Sequence, residues 1–323
     1  MTLTRRHVLA ATAAALAAPA VIAQQPAWPS KTIRIVVPYP PGGSSDIIAR
    51  AIQPLLQDAL KQSVIVENKA GANGNLGTDF VAKSAADGHT FVLCDVGALA
   101  ITPSVYTKLP FDPSKDLRGV TMLAYSPHLL VVHPSVPANN LKELVALSKQ
   151  KDLNFAVTAT GSAPHLAGVA LQRAVDARWA YVPYKGGIQA IQDTVGGQTQ
   201  ILMNGMLATL PHVQSGKLKL LGVSKRTRMP LIGDTPTLAE QGAPGFESGT
   251  WQGVLVPKAT PDAVVQKLNT ALVGAIRSAD VRARLAGQGA EVVTMTPQEQ
   301  DQFFAQERKR WAQVVNDANI KLD

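Results

Sequence analysis

Val36-Val37-Pro38-Tyr39-Pro40-Pro41-Gly42-Gly43-Ser44-Ser45-Asp46-Ile47-Ile48 is the stretch from which this chain is best read. Just before it, Thr32-Ile33-Arg34-Ile35-Val36-Val37 alternates and then turns wholly apolar, the pattern of a strand. Just after it, apolar residues recur at Ile47, Ile48, Ala51, Leu55 and Leu56, the face of a helix over Asp46–Leu60 with Ser44, Ser45 or Asp46 as its cap. A strand that leaves through prolines and two glycines into a helix N-terminus is a βα unit. Its loop lies at the carboxyl end of a strand, where parallel sheets bind ligands. The free amides and positive dipole end of the helix attract anions there.

The same grammar recurs outward from this unit. Val64–Asn68 and Thr90–Asp95 read as strands, and the glycine-rich run Gly71–Gly77 opens a helix near Thr78–Ser84. A second block has strands at His128–Val132, Leu153–Val157, Ala180–Tyr184, Thr199–Met203 and Leu218–Val223. Helices alternate with them at Leu141–Lys149, His165–Val175, Ile188–Val195 and Leu207–Gln214. An irregular passage over Gly233–Gly249 separates this block from a strand at Trp251–Pro257 and helices at Asp262–Ser278, Ala279–Gly287 and Pro297–Asn316. Two blocks of βα units predict an α/β protein of two lobes, each a mostly parallel sheet flanked by helices.

Composition narrows the classes. The chain has 323 residues, 46% apolar and 17% charged, enough for real cores and too ordered in composition for a disordered chain. Arg5-Arg6, the uncharged run Val8–Ile22 and the small residues around Ala23 predict a signal peptide over 1–23, of twin-arginine type, cleaved near Ala23. The protein is therefore expected to be exported to the periplasm. Loss of Arg5 and Arg6 with that leader leaves 29 basic against 23 acidic side chains, a charge of +6. The bases are scattered and not interleaved with aromatics, so no nucleic-acid partner is expected. The lone Cys94 reads as a buried apolar residue, and no His pair has zinc-site spacing, so no metal or cofactor is expected.

Four strand-end loops are candidate ligand contacts. They are Pro41-Gly42-Gly43-Ser44-Ser45-Asp46, Asp95-Val96-Gly97, Thr160-Gly161-Ser162-Ala163, and Tyr184-Lys185-Gly186-Gly187. Glycines admit a ligand close to the backbone, and two loops from each lobe would clamp a small anion. The first loop has neither the G-x-G-x-x-G nor the Gly-Lys-Ser/Thr phosphate spacing. Ser162 and His165 are three residues apart, but their position fits a helix cap and first turn better than a nucleophile and base, and no catalytic motif occurs elsewhere.

The chain resembles the Bug-type extracytoplasmic solute receptors of tripartite tricarboxylate transporters. The markers include Trp28-Pro29-x-Lys31-Thr32-Ile33-Arg34 with Gly42-Gly43-x-x-Asp46, Val66-Glu67-Asn68-Lys69-x-Gly71-Ala72 and Ala86-Asp87-Gly88-His89-Thr90. Further along are Val182-Pro183-Tyr184-Lys185-Gly186, Leu210-Pro211-His212-Val213-x-x-Gly216-Lys217-Leu218, Asp234-x-Pro236-Thr237-x-x-Glu240-x-Gly242 and Ala318-Asn319-Ile320-Lys321-Leu322. Together they span Trp28 to Asp323. The resemblance implies a periplasmic binding protein fold with two crossovers, 24–127 and 250–323 forming one domain and 128–249 the other. It implies a small carboxylate between them, held by the glycine loop and Val96-Gly97 on one side and by Gly161-Ser162, Tyr184-Lys185-Gly186 and Asn204 on the other. The loaded receptor would be presented to membrane transporter subunits. This chain departs from the family at Tyr39-Pro40-Pro41, which stiffen the loop, at Asp95, where Asn is usual, and at Asn204, where Asp is common. A sensor for a membrane signalling partner, or an exported enzyme on the same scaffold, are the alternative readings.

Overall fold

Strand β1 (Ile33–Val37) leads through helix α1 (Ser44–Leu60), β2 (Val64–Asn68), α2 (Asn75–Ala82), β3 (Thr90–Asp95) and α3 (Val96–Val105). The computed structural model describes residues 28–106 and 108–318, so the leader read over 1–23 lies outside the described residues. β1 pairs in parallel with both neighbours, giving the order β2-β1-β3. The period of two along each strand decides what each face buries. Ile33, Ile35, Val37, Phe91 and Leu93 join Ile48, Ile52 and Leu56 of α1 in one core, while Val36, Val92 and Cys94 join α3 in another. Cys94 is therefore a core residue, and burial pushes its thiol pKa up.

β4 (Leu117–Val132) follows, then α4 (Leu141–Ser148), β5 (Asn154–Val157), α5 (Ala163–Ala174), β6 (Ala180–Pro183), α6 (Gly187–Val195), β7 (Ile201–Gly205), α7 (Met206–Gln214) and β8 (Lys219–Val223). β5 pairs in parallel with β6 and β7, repeating the first triplet. The chain finishes with β9 (Gly249–Pro257), α8 (Asp262–Ile276), α9 (Ala279–Gly287), β10 (Glu291–Val292) and α10 (Pro297–Ala318). The strand order is β2-β1-β3-β9-β4-β7-β5-β6, with β8 and β10 also on β4. The α/β reading holds, with one refinement: antiparallel pairings of β4 and β9 make the sheet of each lobe mixed around its parallel triplet.

β4 serves both lobes. From Leu117 to Pro127 it pairs with β9, and from His128 to Val132 it pairs with β7 and β8. His128 stands at the change of partner, fully buried. Its amide donates to Ser224 Oγ (2.9 Å) and to the Ser248 carbonyl (3.2 Å), and Nδ1 lies 3.0 Å from Ser248 Oγ. Burial lowers its pKa to about 3. The two crossings of the chain are thus sewn together at this point. In the second lobe Leu130, Val132, Phe155 and Met203 face one core, and Leu129, Val131, Ala156 and Leu202 the other. Leu207 of α7 and Leu166 of α5 reach across into the cores of the first lobe, so the two lobes are packed against each other.

Two elements differ from the sequence reading. The first eleven residues of β4 are not read as strand because Gly119 and Pro127 interrupt the pattern, and bulges shift its register at Gly119/Thr121 and Met122/Ala124. Helix α3 is missed because nearly every residue in it is buried, so no polar face remains to show a helical period. Ile52, fully buried on α1, tests the packing: Ile52→Ala is expected to lower the urea-unfolding free energy by about 2–5 kcal/mol. A loss under about 1 kcal/mol would contradict the placement of this face in the core.

Candidate ligand-binding site

The glycine loop is locked before any ligand is considered. Gly42 has φ +87°, a conformation that disfavours a side chain, and its amide donates to Asp46 Oδ2 (2.9 Å). Asn68 Nδ2 donates to Asp46 Oδ1 (3.0 Å) and to the Tyr39 carbonyl (3.0 Å), and Arg50 pairs with the same Asp46 (2.9 Å). Burial works against ionisation of Asp46, yet the bonds from Arg50, Gly42 and Asn68 prevail and hold its pKa below the ordinary value. The N-cap of α1 is Gly43, not Ser44, Ser45 or Asp46, and no side chain caps it. Asp46 acts from inside the first turn, tying the loop to β2.

The loop faces the second lobe at van der Waals distance. A Cβ on Gly186 would lie 2.5 Å from Pro40 Cδ, one on Gly42 3.6 Å from Ile188, and one on Gly205 3.3 Å from Ser44 Oγ. Glycine at 186 is what permits Pro40 to seat there. The cleft so formed has a volume of about 60 Å³. Tyr39, Gly43, Ser44, Ser45, Asp95, Ser162 and Asn204 line it, as does Gly187, the residue after Gly186.

Five helices begin at this cleft, and how each beginning is satisfied decides its chemistry. α3 is capped by Asp95, whose Oδ1 accepts the Gly97 amide (3.0 Å) and also the Trp251 amide (3.2 Å). α5 is capped by Ser162, whose Oγ accepts the His165 amide (3.3 Å) and donates to the Ala159 carbonyl (2.7 Å). In α7 the Leu207 amide donates to Ser126 Oγ (2.9 Å). α1 and α6 have glycine N-caps, Gly43 and Gly186, and no side-chain cap. They come from opposite lobes and meet where Gly42 faces Ile188.

The other sequence candidates do not line the cleft. Val96 is a core residue, and Gly97 borders a separate small cavity behind β9 with Trp251 and Trp311. Gly161, at φ +74°, donates its amide to His165 Nδ1 (3.0 Å), and His165 packs edge-on against Tyr181 at 4.9 Å. Burial lowers the His165 pKa to about 4. The Tyr184 hydroxyl is engaged by Asp193 and Thr199 of its own lobe, and the Lys185 amide donates to Gln189 Oε1 (3.1 Å). Ser162 and His165 are thus a cap and a first-turn residue, with the imidazole directed to Gly161 and not to the hydroxyl.

The sequence reading misses the contribution of β9. Gln252 stands opposite Asp95 in register, lines the cleft with Thr250, and its Oε1 accepts from Ser45 Oγ (2.6 Å). Its one signal is a polar residue inside the apolar run Trp251–Val256, which reveals burial but not which strands flank it. Asn73 and Thr158 also line the cleft. Asp95 is 6% exposed, and burial pushes its pKa to about 7 against the pull of three backbone amides, with Glu307 adding to the rise. The Tyr39 pKa is raised well above its ordinary value by burial and by Asp95.

Two packed α/β lobes joined by crossover strands, with a polar cleft between them, define a solute-binding protein. The chain belongs to the tripartite tricarboxylate transporter receptor family, whose model matches residues 48–320. It is 38% identical over 298 residues to the protein BugT of Bordetella pertussis, covering 91% of each chain. Solved structures agree. The periplasmic binding protein BugD superposes with a TM-score of 0.87 at 31% identity, covering 91% of this chain and 99% of that one. MatC of Rhodopseudomonas palustris, solved with malate, gives 0.85 at 33%, covering 89% and 100%. Another protein of that organism, solved with adipate, gives 0.88 at 32%, covering 91% and 99%.

The raised pKa of Asp95 has a consequence for stability. Its carboxyl titrates near 3.8 when exposed and near 7 in the fold. The stability it contributes is fully present below the lower value and is lost as pH rises through the higher one. Asp95→Asn removes this linkage. Between pH 4.5 and 8 the melting temperature of the native protein is expected to fall more steeply than that of the variant, and parallel profiles would contradict the burial of the charge.

Proposed function

We propose that this chain is a periplasmic receptor that captures a small carboxylate between its lobes and delivers it to the membrane subunits of a tripartite tricarboxylate-type transporter. The observation that carries the reading is the pair of uncapped helix N-termini, α1 and α6, opposed across the cleft. Each end carries a partial positive charge and amide donors, that of α1 offset in part by Asp46 in its first turn. Two such ends facing each other repel, and a carboxylate between them satisfies both. The malate and adipate bound by two relatives are anions of this size class. Among the described residues, no helix is long and apolar enough to cross a membrane, which suits a receptor released after export of residues 24–323.

Capture and release require the lobes to part, 24–127 and 250–323 moving against 128–249 about the two crossovers near His128 and Gly249. Closure presses Pro40 onto Gly186 and brings the two uncapped ends to one anion. Tyr39, Ser44, Ser45 and Asn204 then complete the ligand's hydrogen bonds. The loaded, closed form is what the membrane subunits recognise.

Thermal-shift and calorimetric titration with short mono- and dicarboxylates tests this. At ~100 times its dissociation constant, a bound acid adds roughly 2.7 kcal/mol of stability. Gly186→Ala is expected to weaken that acid by ~10-fold or more, because its Cβ would stand 2.5 Å from Pro40 Cδ where the lobes meet. Absence of any stabilising carboxylate would sink the reading.

A further inference from the structure

The cleft contains a buried acid and no balancing base. Asp95 lines it at 6% exposure, and among the described residues no Lys, Arg or His lines it at all. The two backbone amides that hold Asp95 fall on Oδ1, with the Ala98 amide also close to the carboxyl. The groups around Asp95 are Tyr39 from the loop after β1, Cys94 before it on β3, and Glu307 from α10, which is itself acidic and held by Arg310 (3.3 Å) and Trp311 Nε1 (2.9 Å). None offers Asp95 a cation.

A dicarboxylate bound here would place one carboxylate at the helix ends and the other near a buried acid. Like charges in a desolvated site disfavour each other strongly. A group that donates a hydrogen bond has the opposite relation to Asp95. A hydroxyl gains an acceptor, and an ammonium gains an acceptor and, by displacing the proton that burial favours on Asp95, a counter-charge. The rest of the polar wall, Ser44, Asn204, Thr158 and Gln252, is neutral and does not distinguish the cases.

We infer that the ligand is a short monocarboxylate that also carries an ammonium or hydroxyl donor, its carboxylate at the N-termini of α1 and α6 and its donor at Asp95. This rests on the receptor reading above and names the substrate class within it. Asp95 is then the residue that sets specificity, by favouring the donor and excluding a second acid.

Calorimetric titration of the intact protein with matched acids tests it. Succinate is paired with β-alanine, glutarate with 4-aminobutyrate and adipate with 5-aminopentanoate, each pair sharing its methylene count and differing at one end. Propionate, lactate and alanine add the comparison of hydrogen, hydroxyl and ammonium on one carbon. The tightest binder is expected to bear a donor and to exceed its donor-free or dicarboxylate partner by ~10-fold or more. Asp95→Asn, nearly isosteric and still able to cap α3, is expected to shrink that ratio to within ~3-fold. A dicarboxylate that binds the native protein as tightly as its amino partner overturns the inference while leaving the receptor reading intact. So does a ratio that Asp95→Asn leaves unchanged. If none of these acids binds, the receptor reading itself fails.

Discussion

Two helix N-termini from opposite lobes, each with a glycine N-cap and no side-chain cap, meet at the cleft, and the rest of the site is arranged around that fact. α1 comes from the first lobe and α6 from the second, and their N-caps are glycines. The three other helices that begin here are answered within the protein, by Asp95, Ser162 and Ser126. Those three side chains leave the anion-attracting capacity of the cleft at the seam between lobes. In the proposed receptor an anion there would bind both lobes at once, so affinity and closure would become one event.

The close approach behind this is steric. Pro40 seats on Gly186, Gly42 faces Ile188, and Ser44 stands beside Gly205, so each of these three contacts involves a residue without a side chain. The loop that carries Pro40 is held by Asp46 through the Gly42 amide, Asn68 and Arg50, and has little freedom to lose on binding. Polar groups then decide which anion is accepted. Gln252 from β9 engages Ser45, and Asp95 contributes a buried acid, so the crossover strand β9 shapes the cleft as much as the strand-end loops do.

Much of this was legible in the sequence. The apolar runs at Ile35–Val37 and Phe91–Cys94 marked strands, and the glycine loops marked the strand ends that line the cleft. Gly43, Ser44, Ser45, Asp95 and Ser162 could be named as wall residues from their place in strand-end loops, and Tyr39 and Asn204 only through the resemblance to the receptor family. The roles were less accessible. Ser162 was legible as a helix cap, but whether Asp95 meets a ligand or caps its own helix depends on side-chain direction, which spacing does not fix. His165 and Tyr184 sit in the right loops but turn to Gly161 and to Asp193 and Thr199. Gln252 and Thr250 lie some 150 residues from β3 in the chain and arrive beside Asp95 only through antiparallel insertion of β9. A wholly buried helix such as α3 leaves no periodic trace, and the bulges of β4 break the alternation that would reveal it.

The central claim is that one carboxylate is held by amides of both lobes. Amide-resolved NMR titration with acetate, the smallest carboxylate probe, addresses it directly. The account predicts that the amides of Ser44 and Ser45 on α1 and of Gly187 and Ile188 on α6 shift together and saturate at a single acetate concentration. Shifts confined to one lobe, or to surface residues away from the cleft, would contradict it.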